Sequence, residues 1–586
     1  MLNPVRIIQF FYAISTMSSL FFLLWTLNKG FDYTDEGMYL LVAQNPNDIN
    51  VSDSMFFKIT SLLYKASFHN IVIFRVFGLI ILLASSFLLY IGISKYIGSL
   101  YLKDHFWKDY DILLLTINGT LLYYVLLPDP SYNLLNVILI YSGMGLSLII
   151  LARANPFQFG IQSILPPLFL GWVVTLDFFF KFPSSILLMT LIISIFIIKK
   201  KNYPLLFLLL GSILSILSYF FFIQDLSSWK KLFFDGILST INLGREPILS
   251  TLVNNLTQIL SSLKHSTYFV LPLLIPIFVY LLVPQKWSSL YSKMMLLFVL
   301  TSFPIIIVHY KLYQGGWWPK VPSELILSFI LVSSSLLISH RLKSKGLIEI
   351  DFPIFLLFLI CVPFVGAIGT SVPIMGGVIE CLATWPVVVY FLNQYLAYQF
   401  KTFSYNMLTV YLMIAITTQL ITSKTLFPNR LNTSILEQTV PISIGKPPTV
   451  IQVDSKMAKF LNSLQSTVNK NQEAKNEQFV LAFCDMPGFV FFLGKRSPGF
   501  PWYFGLVKNY NNFILERTDP SLIKQSIIIT NPEKNNCMPD LQKFGIEFPG
   551  NYNHIGHLEY PRLWWNVDKA MIPIDIWVPN TPSPKT

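Results

Sequence analysis

The stretch "IIQFFYAISTMSSLFFLLWTLNKGFDYTDEGMYLLVAQN", residues 7–45, decides how the rest of the chain is read. Residues 7–27 form a predominantly apolar run of the length that crosses a bilayer, about 20 residues. Directly behind it, Asp32, Asp35 and Glu36 fall within five residues of one another. A carboxylate at the bilayer centre costs about 2.5–3.5 kcal/mol on insertion scales, so these acids belong at the rim of the membrane. They open an amphipathic stretch, "EGMYLLVAQN" (36–45), which is expected to lie along the interface as a short helix. The helix dipole favours acids at its N-terminus and holds them in a fixed orientation. A carboxylate fixed beside a membrane face can serve as a general base or hold a metal ion. The plain alternative is a solvated acid at a helix end.

The remainder of the chain supports a membrane setting. It has 586 residues, 53% hydrophobic and 12% charged, where a soluble domain carries about 25% charged residues. The fold class is therefore a polytopic α-helical membrane protein. Its formal charge of +12 fits Lys and Arg at the cytoplasmic ends of spans. There is no arginine-rich tract, and a nucleic-acid partner is not expected.

Apolar windows place about thirteen spans, near 7–27, 71–94, 111–127, 134–152, 161–177, 183–198, 204–223, 267–284, 292–309, 321–339, 352–369, 381–398 and 405–421. "DFFFKFPSS" (177–185) reads as a tight turn between two of them. The basic loops "KKKNY" (199–203) and "HRLKSK" (340–345), and the stretch holding Lys95, Lys103 and Lys108, alternate correctly if the N-terminus is cytoplasmic. This is the pattern of a multi-pass plasma (inner) membrane protein with external loops 28–70 and 224–266.

An odd span count puts residues 422–586 outside the cytosol. That tail is rich in Asn, Pro, Lys and Ser. "TVIQVD", "QFVLAFCD" and "QSIIIT" read as strands and 455–469 as a helix, which together suggest a small extracytoplasmic α/β domain. Cys484 and Cys537 lie within it, and pairing between them is open. Cys361 and Cys381 fall in or beside apolar runs as packing residues. His69, His265 and His309 share no zinc-ligand spacing.

Four segments taken in order carry a resemblance. "FDYTDEGMYLLVAQNP" (31–46) follows the first span, and "FFKITSLLYKASFHNIVIFRVFG" (56–78) supplies Lys58 and Arg75. "LLPDPSYNLLN" (126–136) supplies Asp129, and "GWVVTLDFFFKFPSS" (171–185) supplies Asp177 and Lys181. In this order they resemble the GT-C fold integral membrane glycosyltransferases, closest to the aminoarabinose lipid A transferase and protein mannosyltransferase branch. The Lys-Pro-Pro element of that class lacks its prolines here. The resemblance covers the topology of most of the chain and the motifs of its first 185 residues.

The resemblance implies a transferase domain over 1–421. It implies a polyprenyl-phosphate-linked sugar as donor, and a glycan, lipid or protein as acceptor among the membrane lipids. Asp35 takes the position of the catalytic base, with Glu36 and Asp129 assisting. Whether these three hold a divalent cation stays open, and no other cofactor is expected. A departing phosphate needs cations against the charge it gains, and Lys58, Arg75 and Lys181 all map to the external rim. The competing reading is a transporter or flippase of lipid-linked sugar. Transporters place ionisable residues mid-membrane and carry internal repeats, whereas the charges here gather at one rim and no repeat stands out.

Overall fold

The computed structural model describes residues 4–100, 107–126, 128–153, 160–244, 250–251, 253–264, 323–324, 326–331, 333–334, 351–369, 372–400, 404–426, 428–503, 507–561 and 571–580. The expected spans 267–284 and 292–309, most of 321–339, the loop 340–345, Lys103, His265 and His309 lie outside them.

Helices dominate the first 426 residues. In chain order they begin with α1 (Pro4–Thr26), α2 (Asp35–Gln44), α3 (Phe56–Ala66), α4 (Ile71–Ser99), α5 (Asp109–Leu121), α6 (Tyr132–Leu151), α7 (Ile161–Ile198), α8 (Tyr203–Phe222) and α9 (Leu226–Asn242). Later helices cover Asp351–Ala367, Thr384–Phe400 and Ser404–Leu426. Among the described residues, five helices are long and apolar enough to cross a membrane. The number is six if the bent pair Ile374–Cys381 and Thr384–Tyr398 is one broken span.

These helices assemble by the rules of an apolar solvent, in which close backbone approach and interhelical hydrogen bonds replace hydrophobic drive. Ser19 of α1 donates to Asn118 Oδ1 of α5 at 2.9 Å and to Thr417 Oγ1 at 3.1 Å, while Thr417 donates to the Ser15 carbonyl at 3.1 Å. Three helices distant in sequence are thus tied by one polar knot. Helices α7 and α8 touch backbone to backbone, because a Cβ on Gly171 would run into the Leu208 carbonyl and one on Gly211 into that of Leu168.

The 38-residue α7 is not straight. Lys181 breaks it with φ −150° and ψ 75°, two residues before Pro183. Ser185 Oγ then donates to the Val174 carbonyl at 2.7 Å. Residues eleven apart in a continuous helix would stand about 16 Å apart, so the chain folds back on itself at "DFFFKFPSS". The turn expected there is present, and Lys181 sits at its apex.

The short helix expected behind the first span exists as α2, but it does not lie on an open interface. Nine of its ten residues are buried. The covering layer comes from the tail. There, β1 (Val440–Ile444) and β2 (Thr449–Val453) form a hairpin, and β3 (Val480–Ala482), β4 (Ile527–Thr530), β5 (Tyr552–Pro561) and β6 (Met571–Pro579) form a sheet of order β3-β4-β6-β5. The β3–β4 pair is parallel and the other two are antiparallel. Asp454 caps the helix Ser455–Lys470 through the amides of Lys456 and Met457. The buried stripe of that helix, Met457, Phe460, Leu461, Leu464 and Val468, recurs at helical spacing toward the sheet. Cys484 and Cys537 are joined as a disulfide with Cα atoms 5.3 Å apart.

The tail core continues into the membrane-proximal segments, taking in Phe31, Tyr33, Leu40, Leu41, Tyr64 and Phe74. Backbone bonds stitch the two parts together. Gly30 N donates to Gln452 O at 2.7 Å, and Gln452 N donates to Asn28 O at 2.8 Å.

Gly171→Leu is expected to lower the thermal unfolding midpoint of the detergent-solubilised protein, with a loss of about 1–3 kcal/mol or more from overpacking. Leu206→Ala, at an exposed position of α8, should shift it little.

Candidate active site at the seam between the first loop and the tail

The acidic cluster begins as a solution to a helix-terminus problem. The first N–H groups of α2 have no intrahelical partner. Asp32 meets this need, its Oδ1 accepting from Thr34 N at 2.8 Å and Thr34 Oγ1 at 2.5 Å, its Oδ2 from Glu36 N at 3.3 Å. Glu36 Oε2 returns the bond by accepting from Asp32 N at 2.9 Å. Asp32 is therefore the residue that sets the orientation of the two acids after it.

Those two acids point to different cations. Glu36 Oε1 accepts from Arg75 Nε at 3.0 Å and also pairs with Arg75 Nη2. Arg75 Nε is shared with Asp129 Oδ1 at 3.1 Å. The rest of the guanidinium is used on backbone: Nη1 donates to Leu27 O at 2.7 Å and Lys29 O at 3.4 Å, Nη2 to Gly30 O at 3.0 Å. A guanidinium has five N–H donors, and all five are directed at protein acceptors. Arg75 is 0% exposed. In this structure Arg75, expected to meet the donor phosphate, is bonded instead to Glu36, Asp129 and the carbonyls just past the first helix.

Two acids and one arginine in a sealed site cannot all be charged at low cost. Burial is the largest influence and would raise Glu36, but the Arg75 charge together with hydrogen bonds from Asp129, Arg75 and the Asp32 amide holds Glu36 below its ordinary value. Burial and the neighbouring Glu36 charge push Asp129 well above the carboxylate range. The arrangement reads as Glu36 ionised on Arg75 with Asp129 protonated beside it.

Asp35 is different. Its Oδ2 meets Arg430 Nη2 at 2.5 Å, with 12% of each side chain exposed. Arg430 Nη1 donates to Thr34 Oγ1 at 2.9 Å. Burial pushes the Asp35 carboxyl up to about 7, against the lowering effect of Arg430 and with a further rise from Asp32. Arg430 was not legible as a site residue. It belongs to the segment behind the helix Ser404–Leu426, 396 positions from Thr34, and no local motif marks it.

The other expected cations lie apart from this pair. Lys58 is half-exposed and donates to Asn47 Oδ1 at 3.1 Å. Lys181 is buried and donates to Gly366 O at 2.6 Å and Asn133 Oδ1 at 3.3 Å. Neither bonds to Asp35, Glu36 or Asp129. The three face two different guanidinium groups, and among the described residues no three His, Cys, Asp or Glu side chains gather as metal ligands.

The tail closes the site at a glycine pair. Gly488 N donates to Tyr33 O at 2.7 Å. A Cβ on Gly37 would collide with the Gly488 backbone, and one on Gly488 with Tyr33. Tyr33 stacks on Phe489 with centroids 4.9 Å apart and meets Tyr560 edge-on at 5.2 Å. The segment "MPGF" (486–489) is what holds the acidic loop down.

No family model, curated protein or solved structure matches the chain.

Arg75→Ala is expected to cost about 3–5 kcal/mol, because it strands a buried carboxylate, and to lower folded yield from membranes. Asp129→Asn should cost far less, because the amide replaces an acid that is already neutral. Comparable losses from the two substitutions, read by fluorescence-detected size-exclusion after heating, would contradict the charge assignment.

Proposed function

We propose that the protein is a membrane glycosyltransferase of the GT-C type. It moves a sugar from a polyprenyl-phosphate donor to an extracytoplasmic glycan, lipid or protein acceptor. In this reading the chain is a multi-pass plasma (inner) membrane protein of about thirteen spans, with a cytoplasmic N-terminus and the tail outside. The Cys484–Cys537 disulfide is in keeping with an oxidising location for the tail.

One observation carries the reading. Of the acids in the first loop, Asp35 alone keeps an exposed edge, an arginine beside it and a carboxyl raised to about 7, while Glu36 and Asp129 are sealed at 1% and 0% exposure. A general base works best with a pKa near the operating pH.

The step is a single inverting displacement. Asp35 accepts the proton of the acceptor hydroxyl or amine. The acceptor heteroatom forms its bond to the anomeric carbon as the bond from that carbon to the phosphate oxygen breaks. The polyprenyl phosphate leaves with the electron pair, and Arg430 is the cation placed to meet that charge. Arg75, Glu36 and Asp129 hold the loop in position for this.

Transfer from radiolabelled polyprenyl-phosphate sugar in purified membranes tests it. Asp35→Asn should reduce transfer by about 100-fold or more. The wild-type rate should rise with pH and level off above about 7, where Asp35 is unprotonated. Arg430→Gln removes the cation that lowers Asp35, so the acid limb should move to higher pH. Full transfer by Asp35→Asn would refute the base assignment, and lipid translocation without transfer would favour a flippase.

A further inference from the structure

Outside the Asp35 site, two charged side chains are buried where helices break. Lys181 is the apex of the fold-back in α7. Glu380 lies in the turn Val378–Cys381, at the break of a helix pair bent by 80°. Both are sealed, Lys181 at 4% and Glu380 at 1% exposure. They share a neighbourhood. Lys181 Nζ donates to Gly366 O, and a Cβ on Gly366 would meet the Cys381 side chain, next in sequence to Glu380. Glu380 is the foremost charge acting on the Lys181 ammonium, ahead of Asp177.

A buried lysine and glutamate so placed are expected to close into an ion pair, because each charge is costly alone. They do not. Neither Glu380 oxygen accepts a hydrogen bond among the described residues. An ammonium has three N–H donors, and the described residues supply Lys181 with two acceptors, Gly366 O and Asn133 Oδ1. Asp177 provides the contrast. With its amide turned to suit its neighbours, Asn136 donates to both Asp177 oxygens, at 3.3 and 3.0 Å. The shortfall thus falls on Lys181 and Glu380, which between them leave one N–H donor and two carboxylate oxygens without a hydrogen bond among the described residues.

Buried tyrosines lie near both Glu380 and Asp35. Tyr123, whose hydroxyl is 2.9 Å from Ser131 Oγ, stands in the field of Glu380. Tyr39 on α2 stands in the field of Asp35, Tyr132 and Tyr123, and its ring meets Tyr132 at 6.3 Å.

We infer that Lys181 and Glu380 form a binding subsite for a group that both donates and accepts hydrogen bonds, the hydroxyls of the transferred sugar. This rests on the transferase reading above and adds where the sugar is recognised. A hydroxyl can accept from the ammonium and donate to the carboxylate, satisfying both at once.

Native mass spectrometry of the full chain in nanodiscs tests it. The probes are undecaprenyl phosphate and the same lipid carrying a neutral hexose or an aminosugar. Wild type should bind at least one sugar-bearing lipid more tightly than the bare one. Glu380→Ala should remove that gain, about 10-fold or more for a hydrogen bond to a charged group, and leave bare lipid within about twofold. Glu380→Gln, which keeps one acceptor and adds donors, should retain part of the gain and guards against a folding defect. A gain that survives Glu380→Ala, or equal losses on both lipids, would overturn the subsite and leave water alone as the occupant. If wild type binds no lipid phosphate, the transferase reading fails by itself. The subsite is then read by protection of Glu380 from dicyclohexylcarbodiimide labelling with methyl glycosides of the same sugars. Protection supports it, and unchanged labelling overturns it.

Discussion

The guanidinium of Arg75 is the constraint on which the site depends. It lies wholly inside the protein and directs every N–H at an acceptor: two carboxylates from different segments and three carbonyls of the turn just past the first helix. An arginine so placed is geometrically demanding, because its donors form a rigid planar fork. It fixes where α1 stops, which way Glu36 points and how close the loop carrying Asp129 comes. With Glu36 occupied on Arg75 and Asp32 turned back to cap α2, Asp35 is the acid left to face outward toward Arg430.

Around that anchor the protein separates two electrostatic tasks. The inner triad is close to neutral, with one carboxylate balanced by the arginine and the other carrying a proton. The outer pair, Asp35 and Arg430, retains an edge toward solvent. Placing a titrating carboxylate beside an already balanced cluster lets burial raise its pKa without stacking further charge into the interior. The tail completes this arrangement. Its Gly488 and Phe489 clamp Tyr33, and Arg430 enters from the segment that leads into β1.

Much of the helical architecture was legible because apolar run length and turn chemistry are local signals. The runs that became α1, α4, α6 and α8, and the turn around Lys181 and Pro183, follow from residues within one window. The strands β2 and β4 and the helix behind Asp454 were legible for the same reason. The acidic loop was legible too, since three acids fall within five residues directly behind the first apolar run. Partner assignment was not legible. A lone arginine at a span end gives no hint that two carboxylates and three carbonyls will bond to it, as they do to Arg75. Arg430 went unread because its contacts with Thr34 and Asp35 are made across hundreds of residues. The burial of α2 was missed for the same cause, as its amphipathic sequence does not reveal that the tail supplies a lid.

The hydrogen bonds between Gly30, Asn28 and Gln452 have a consequence for biosynthesis. The side chain of Lys29 reaches Gln452 as well, across 423 positions. A ribosome finishes the first helix long before the strand that pairs with its exit segment has been made. Until then the acidic turn lacks its cover, its arginine partner at position 430 and the aromatic clamp on Tyr33. Maturation of the site is therefore a late event, coupled to completion of the polypeptide, and a prematurely terminated chain would insert its helices yet leave Asp35 without Arg430.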